Sequence, residues 1–194
     1  MDAQINRLID DIRHLENQLE VAVAAKQADL QYRIEGKKVV FENEIAQAHD
    51  QLKQKLLPYI LEIPLSSWLT APFVYGLIIP FALLDAMTSL YQAICFPVYG
   101  ITKVRRGDYL VFDRHNLHYL NAIEKLNCAY CSYANGVAAY VREVAARTEQ
   151  YWCPIKHARR LSGHHPYYSH FVDYGDATAF QSQLGKLREE LKDK

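Results

Sequence analysis

Three cysteines and a histidine carry the chemistry most easily read from this sequence: Cys128, Cys131, Cys153 and His157. On a helix Cys128 and Cys131 share a face, with Cβ atoms ~5–6 Å apart, close enough to hold one ion. Cys153 and His157, four residues apart, can do the same. Three thiolates and an imidazole satisfy tetrahedral zinc, and thiolate-rich sites also suit iron–sulfur clusters, other iron or copper(I). Glu124 and Glu149 each precede a cysteine by four residues. They suit oxygen ligands, hydrogen-bond partners of the ligands, or proton handlers beside a metal-bound water. The plain alternative is four unrelated cysteines and histidines, with the glutamates in surface ion pairs to Lys125, Arg142 or Arg147. One condition separates the two. A single site requires the helical stretch between the pairs to turn near Asn135-Gly136. A straight helix parts them by ~30 Å at 1.5 Å per residue, leaving two half-sites for neighbouring segments or subunits to complete, or no metal.

Other chemistries are narrower. Ser132 follows Cys131, so the C-x-x-C-H of covalent haem is absent, and no βαβ pattern accompanies a thioredoxin-like C-x-x-C. Dithiol redox at Cys128 and Cys131 stays open. The Glu-x-x-His pairs of a di-iron bundle, a P-loop, G-x-G-x-x-G and G-x-S-x-G are missing from the sequence. His164, His165 and His170, with His115 and His118 upstream, form a second histidine-rich group, read as a metal or proton site or as solvated side chains.

The elements that position these residues fall into four segments. In residues 1–57, Ile5, Leu8, Ile12, Leu15, Leu19 and Ala22 repeat at the a/d spacing of a coiled coil. This predicts a helical arm over 2–34 that needs a partner for its narrow stripe. Gly36 sits either inside a kinked helix or in a turn between Y-R-I and V-V-F. A second helix is predicted over 39–57, ended or kinked by Pro58. Segment 58–104 is apolar. The chain carries no charge from Pro64 to Leu84, and about 20 apolar residues cross a bilayer core as a helix. Trp68 suits the interface. Asp85 interrupts the run, and Ala86–Ile101 is a second uncharged stretch. The sequence predicts a membrane hairpin with Asp85 near its turn. It also allows a single span followed by an interfacial segment, an apolar helix pair in a soluble core, or Asp85 as an intramembrane functional carboxylate. Segment 105–176 is read as a helical Cys/His domain, with Asp113 as an N-cap and a new helix starting at Pro154 behind Cys153. Segment 177–194 is a short amphipathic helix through Phe180, Leu184, Leu187 and Leu191, suited to a groove or another helix.

Composition sets the outer bounds. Twenty-two basic residues balance 22 acidic ones, so no global field favours nucleic acid. Residues 1–20 lack the apolar core of a secretory signal. Four cysteines in a chain expected to stay inside the cell argue against a disulfide framework; Cys95, in the apolar region, suits a small buried hydrophobe. Lys53 and Lys55 before the apolar region, and Lys103, Arg105 and Arg106 after it, put both flanks on the cytoplasmic side.

The run I-C-F-P-V-Y-G-I, then D-R-H, L-N-C-A-Y-C-S-Y-A-N-G and A-R-T-E-Q-Y-W-C-P-I-K-H-A, resembles a group of uncharacterised bacterial membrane-associated proteins over roughly residues 58–176. The resemblance implies a bacterial source and no activity. Together these readings give an all-α protein with a coiled-coil arm, an apolar membrane hairpin and a cytoplasmic helical domain, seated at the inner membrane with both termini cytoplasmic. The expected role is a metal-binding structural or accessory subunit, zinc first, in contact with lipid and assembling as a homo-oligomer or within a larger membrane complex. A membrane redox or metal-dependent enzyme using the same cysteines is the rival, and a homo-oligomeric pore or transporter the third reading.

Overall fold

A computed structural model describes residues 3–29, 32–35 and 38–192. The chain is mainly helical, in the order α1 (Ala3–Asp29), β1 (Tyr32–Glu35), β2 (Lys38–Phe41), α2 (Asn43–Gln51), α3 (Leu56–Glu62), α4 (Leu65–Gly76), α5 (Ile78–Tyr99), α6 (Ala122–Trp152) and α7 (Ala177–Glu189), with three short 3-10 turns. It divides into two compact units, Met1–Glu62 with Asp113–Leu126, and Ile63–Phe112 with Asn127–Lys194.

In the first unit, α1 leaves Leu8, Ile12, Leu15 and Leu19 exposed along the spacing read as a seam. Gly36 lies outside the described residues. The segments on either side of it are strands paired antiparallel, Glu35 opposite Lys38 and Tyr32 opposite Phe41, and not parts of one helix. Phe41 packs on His49 and His118, and His49 on Tyr119, at centroid distances of 5.1, 6.4 and 5.3 Å. The helix expected over 39–57 is shorter, and Pro58 falls inside the first turn of α3, where a missing N–H costs nothing.

In the second unit, α4 and α5 form one apolar helical run broken only at Leu77. Pro80 explains the break: it has no N–H for the Gly76 carbonyl and its ring crowds that group, so α4 stops there. The chain is helical through Asp85, which therefore sits mid-helix and not at a hairpin turn. Gly100, with φ 69°, ends α5 in a left-handed cap: Ile101 N–H bonds Phe96 O at 2.8 Å and Gly100 N–H bonds Pro97 O at 3.3 Å.

Helix α6 runs alongside and parallel to this pair. Tyr75 bonds Asn127 and Tyr130 bonds Val74 O near one end; Tyr99 packs on Tyr151 and Trp152 near the other. The core between them holds Phe96, Ile101, Val104, Leu110, Val137, Tyr140, Val144 and Leu191. Helix α7 docks intramolecularly at the far end, where Gln150 Nε2 donates to Leu187 O at 2.8 Å and Arg188 lies 4.7 Å over the Tyr151 ring.

Candidate functional site

Helix α6 decides what the cysteines can do. It starts at a capping box: Asn121 Oδ1 accepts from the N–H groups of Ile123 and Glu124 at 3.0 Å each, and Glu124 Oε2 accepts from Asn121 N–H at 2.8 Å. Glu124 is therefore engaged in capping the helix through Oε2. The helix then runs for 31 residues, Ala122–Trp152, without a break. Gly136 is buried within it, and its missing Cβ makes room for another segment. A Cβ there would lie 2.7 Å from Tyr109 O and 3.1 Å from Leu110 Cα. The glycine lets the 105–112 connection press onto α6 instead of turning the helix.

Cys128 and Cys131 thus share a face near the start of α6, half-buried and exposed respectively. Cys153, exposed, follows its last residue, about 30 Å further on at 1.5 Å per residue. Among the described residues no group of three or more His, Cys, Asp or Glu side chains is placed to hold a metal ion. The four candidate ligands do not fit one tetrahedral site within one chain. Cys153, placed before Pro154, is driven towards extended backbone, so α6 ends at Trp152, and Pro154 does not open a new helix. Instead Ile155 bridges Val172 in parallel and Pro154 O accepts from Val172 N–H at 2.9 Å. His157 is exposed; its N–H donates to the Tyr168 hydroxyl at 2.6 Å, and its ring stacks on Tyr168 at 6.2 Å.

Glu149 bonds His165 Nε2 at 3.0 Å, and that histidine is buried with its Nδ1 unpartnered. Of the remaining histidines, His164 stacks on Tyr168 at 5.5 Å, His170 is exposed, and His118 lies 3.6 Å from Asp50 in the first unit.

Two buried polar side chains, Asp85 and Gln92, lie on the α5 face that meets α6. Arg106 grips Asp85 with two hydrogen bonds, 2.8 Å from Nε and 2.6 Å from Nη2, and the Tyr133 hydroxyl adds a third at 3.0 Å. The carboxylate holds the Arg106 guanidinium above its usual range, and burial followed by the Asp85 bond pushes the Tyr133 phenol up. Two turns further on, Gln92 pairs with both backbone groups of Val104, at 2.9 and 3.1 Å, and donates to Tyr140 Oη at 2.6 Å. A third cluster lies near the end of α6. Arg147 bonds Glu143 at 2.8 Å and Thr102 O at 2.6 Å, and Tyr167 donates to Glu143. Burial, then the Glu143 bond, pushes the Tyr167 phenol up to about 12.

The opposite face of α4–α5 is different. Leu65, Leu69 and Phe73 on α4, then Ile79, Leu83, Met87, Leu90, Ile94 and Val98 on α5, repeat every three or four residues within each helix, and all are exposed. This run is long and apolar enough to cross a membrane, yet only 6% of its most apolar window is buried. No family model matches the chain, and comparison with curated proteins and with solved structures finds no match.

Proposed function

We propose that this protein is a membrane-attached structural or accessory subunit whose α4–α5 run lies in the membrane plane. The stripe from Leu65 to Val98 carries the reading. A core helix of a soluble protein buries such a face, and exposed apolar patches of this extent mark lipid or partner contacts. If each of these nine side chains gains roughly 1 kcal/mol in the acyl boundary, the gross total is on the order of 9 kcal/mol, comparable to that of one buried acyl chain at ~0.8 kcal/mol per CH2. The 105–112 connection favours an in-plane lie over a crossing. It rests beside the middle of α6, at Gly136, and carries Arg105 and Asp108 with side chains 85% and 59% exposed. A transverse helix pair would place that irregular, charged backbone inside hydrocarbon, where unpaired backbone groups cost several kcal/mol each. An in-plane lie also keeps both ends of the second unit on one side, which the basic flanks and free thiols make the cytoplasmic side of the inner membrane.

The exposed seam on α1 supports assembly through that arm, as a homo-oligomer or with a partner in a larger complex. Zinc or iron at the cysteines belongs to this reading only as a site between copies, with Cys128 and Cys131 supplying half the ligands. Flotation with phosphatidylcholine/phosphatidylglycerol vesicles tests the attachment. Wild type is expected in the vesicle fraction and Phe73→Glu/Leu83→Glu in the soluble fraction; wild type left in the soluble fraction contradicts the proposal.

A further inference from the structure

Two cavities in the second unit, one ending at Cys153 and the other beginning at Lys156, differ in character. The first, about 530 Å³, is an apolar groove between α5 and α6 lined by Met87, Tyr91, Val141, Val144, Ala145 and Trp152, with Glu149 and Cys153 at its end. The second, also about 530 Å³, is formed by the loop after α6 and is lined by Lys156, His157, Arg159, Arg160, His164 and Tyr168, with no carboxylate among its walls. Both volumes fall within the ~300–1,000 Å³ of small-molecule pockets.

Three features join them. Cys153 of the groove and Lys156 of the basic pocket are three residues apart, so the intervening chain spans at most about 10 Å. Glu149, the one acid lining the groove, is engaged by His165, whose ring packs edge-on against Tyr168 of the basic pocket at 6.0 Å. Arg142 fixes the loop by donating to the carbonyls of Gly163 and His164 at 2.6 Å each, which leaves Arg159 and Arg160 exposed at the rim. Lys156 is held by Asp173 at 2.8 Å. The C-terminal pole of α6 disfavours an anion by roughly half a charge, and the two arginines outweigh it.

We infer that the groove and the loop form one site for an anionic phospholipid, with an acyl chain between α5 and α6 and the phosphate among Arg159, Arg160, His157 and His164. Met87 belongs both to the groove and to the exposed stripe, so the groove opens on the face that contacts lipid. The site rests on the membrane reading for its supply of ligand, and its recognition chemistry is separate: guanidinium forks suit phosphate oxygens.

The test uses the full chain carrying Trp68→Phe, which leaves Trp152 in the groove as its sole tryptophan. Short-chain phosphatidylglycerol and phosphatidylcholine are titrated below their micelle concentrations, with glycerol phosphate as the headgroup without a chain. The expected result is a saturable blue shift of Trp152 at least tenfold tighter for phosphatidylglycerol than for phosphatidylcholine. Arg159→Gln/Arg160→Gln, two exposed changes, should weaken it at least tenfold with an unchanged circular dichroism spectrum, and Ala145→Phe should fill the groove and abolish the shift. Equal affinity for the two lipids, an unaffected double variant, or glycerol phosphate matching phosphatidylglycerol overturns the inference. Because these lipids are monomeric, the binding is read without a membrane; failed vesicle flotation with intact lipid binding would sink the attachment alone.

Discussion

Asp85 and Arg106 illustrate how a charge is tolerated on an apolar helix. The carboxylate is nearly covered, and every strong contact it makes comes from the α6 side of α5. The guanidinium is 45% exposed, so its charge stays partly in water. Removing one partner of a fully buried pair costs ~3–5 kcal/mol. Here Arg106→Ala is expected to cost about 2 kcal/mol, discounted for that exposure, read as a lowered denaturation midpoint in detergent. Tyr167 gives a pH signature. Its folded-state value, about 12, lies above the ordinary 10, so the folded protein binds that proton more tightly. The stability it contributes is complete below pH 10 and is lost as pH rises from 10 to 12. Tyr167→Phe should remove that part of the alkaline loss, measured by chemical denaturation at pH 9 and 11. At this scale the sequence was only partly legible. The pattern Asn121-x-x-Glu124 is a cap signature visible without a structure, but the glutamate was read by its distance to Cys128. Asp85 could be recognised as exceptional, while its partner Arg106 is brought near by the fold of the connection after Gly100.

Helix α6 shows why element boundaries resist sequence reading. A glycine inside a helix costs ~1 kcal/mol relative to alanine, so Gly136 read as a break. What fixes it as helix is the backbone of Tyr109 and Leu110, more than twenty residues earlier, pressed onto its Cα. Backbone yields less readily than a flexible side chain. Gly136→Ala is therefore expected to destabilise the second unit by ~1–3 kcal/mol, despite alanine's better propensity; an unchanged or raised melting temperature would contradict that packing. The helical class, the apolar run and the amphipathic C-terminal helix were legible because each depends on local periodicity. The two-faced character of α5 was not. Its polar positions, the buried Asp85 and Gln92 and the half-buried Ser89, look like interruptions in sequence, and become one face only beside α6.

The whole molecule combines an exposed row of apolar side chains on α1 with an exposed apolar stripe on α4–α5. Both are faces that water does not favour. Native mass spectrometry in detergent is expected to show a defined oligomer for wild type and its loss in Ile12→Asp/Leu19→Asp, while vesicle flotation of that variant persists. If the cysteines hold metal between copies, the purified oligomer should carry zinc or iron at a fixed ratio to chains that Cys128→Ser/Cys131→Ser abolishes.

The lie of α4–α5 in the bilayer is tested most directly by spin-label depth. In a background with the four native cysteines replaced by serine, single cysteines at Leu69, Ile79, Leu90 and Val98 would be labelled and the protein placed in nanodiscs. The proposed in-plane orientation gives similar shallow depths in the acyl boundary at all four positions. A depth that rises to the bilayer centre and falls again along the run would show a crossing, and water-like accessibility at every position would show no lipid contact; either contradicts it.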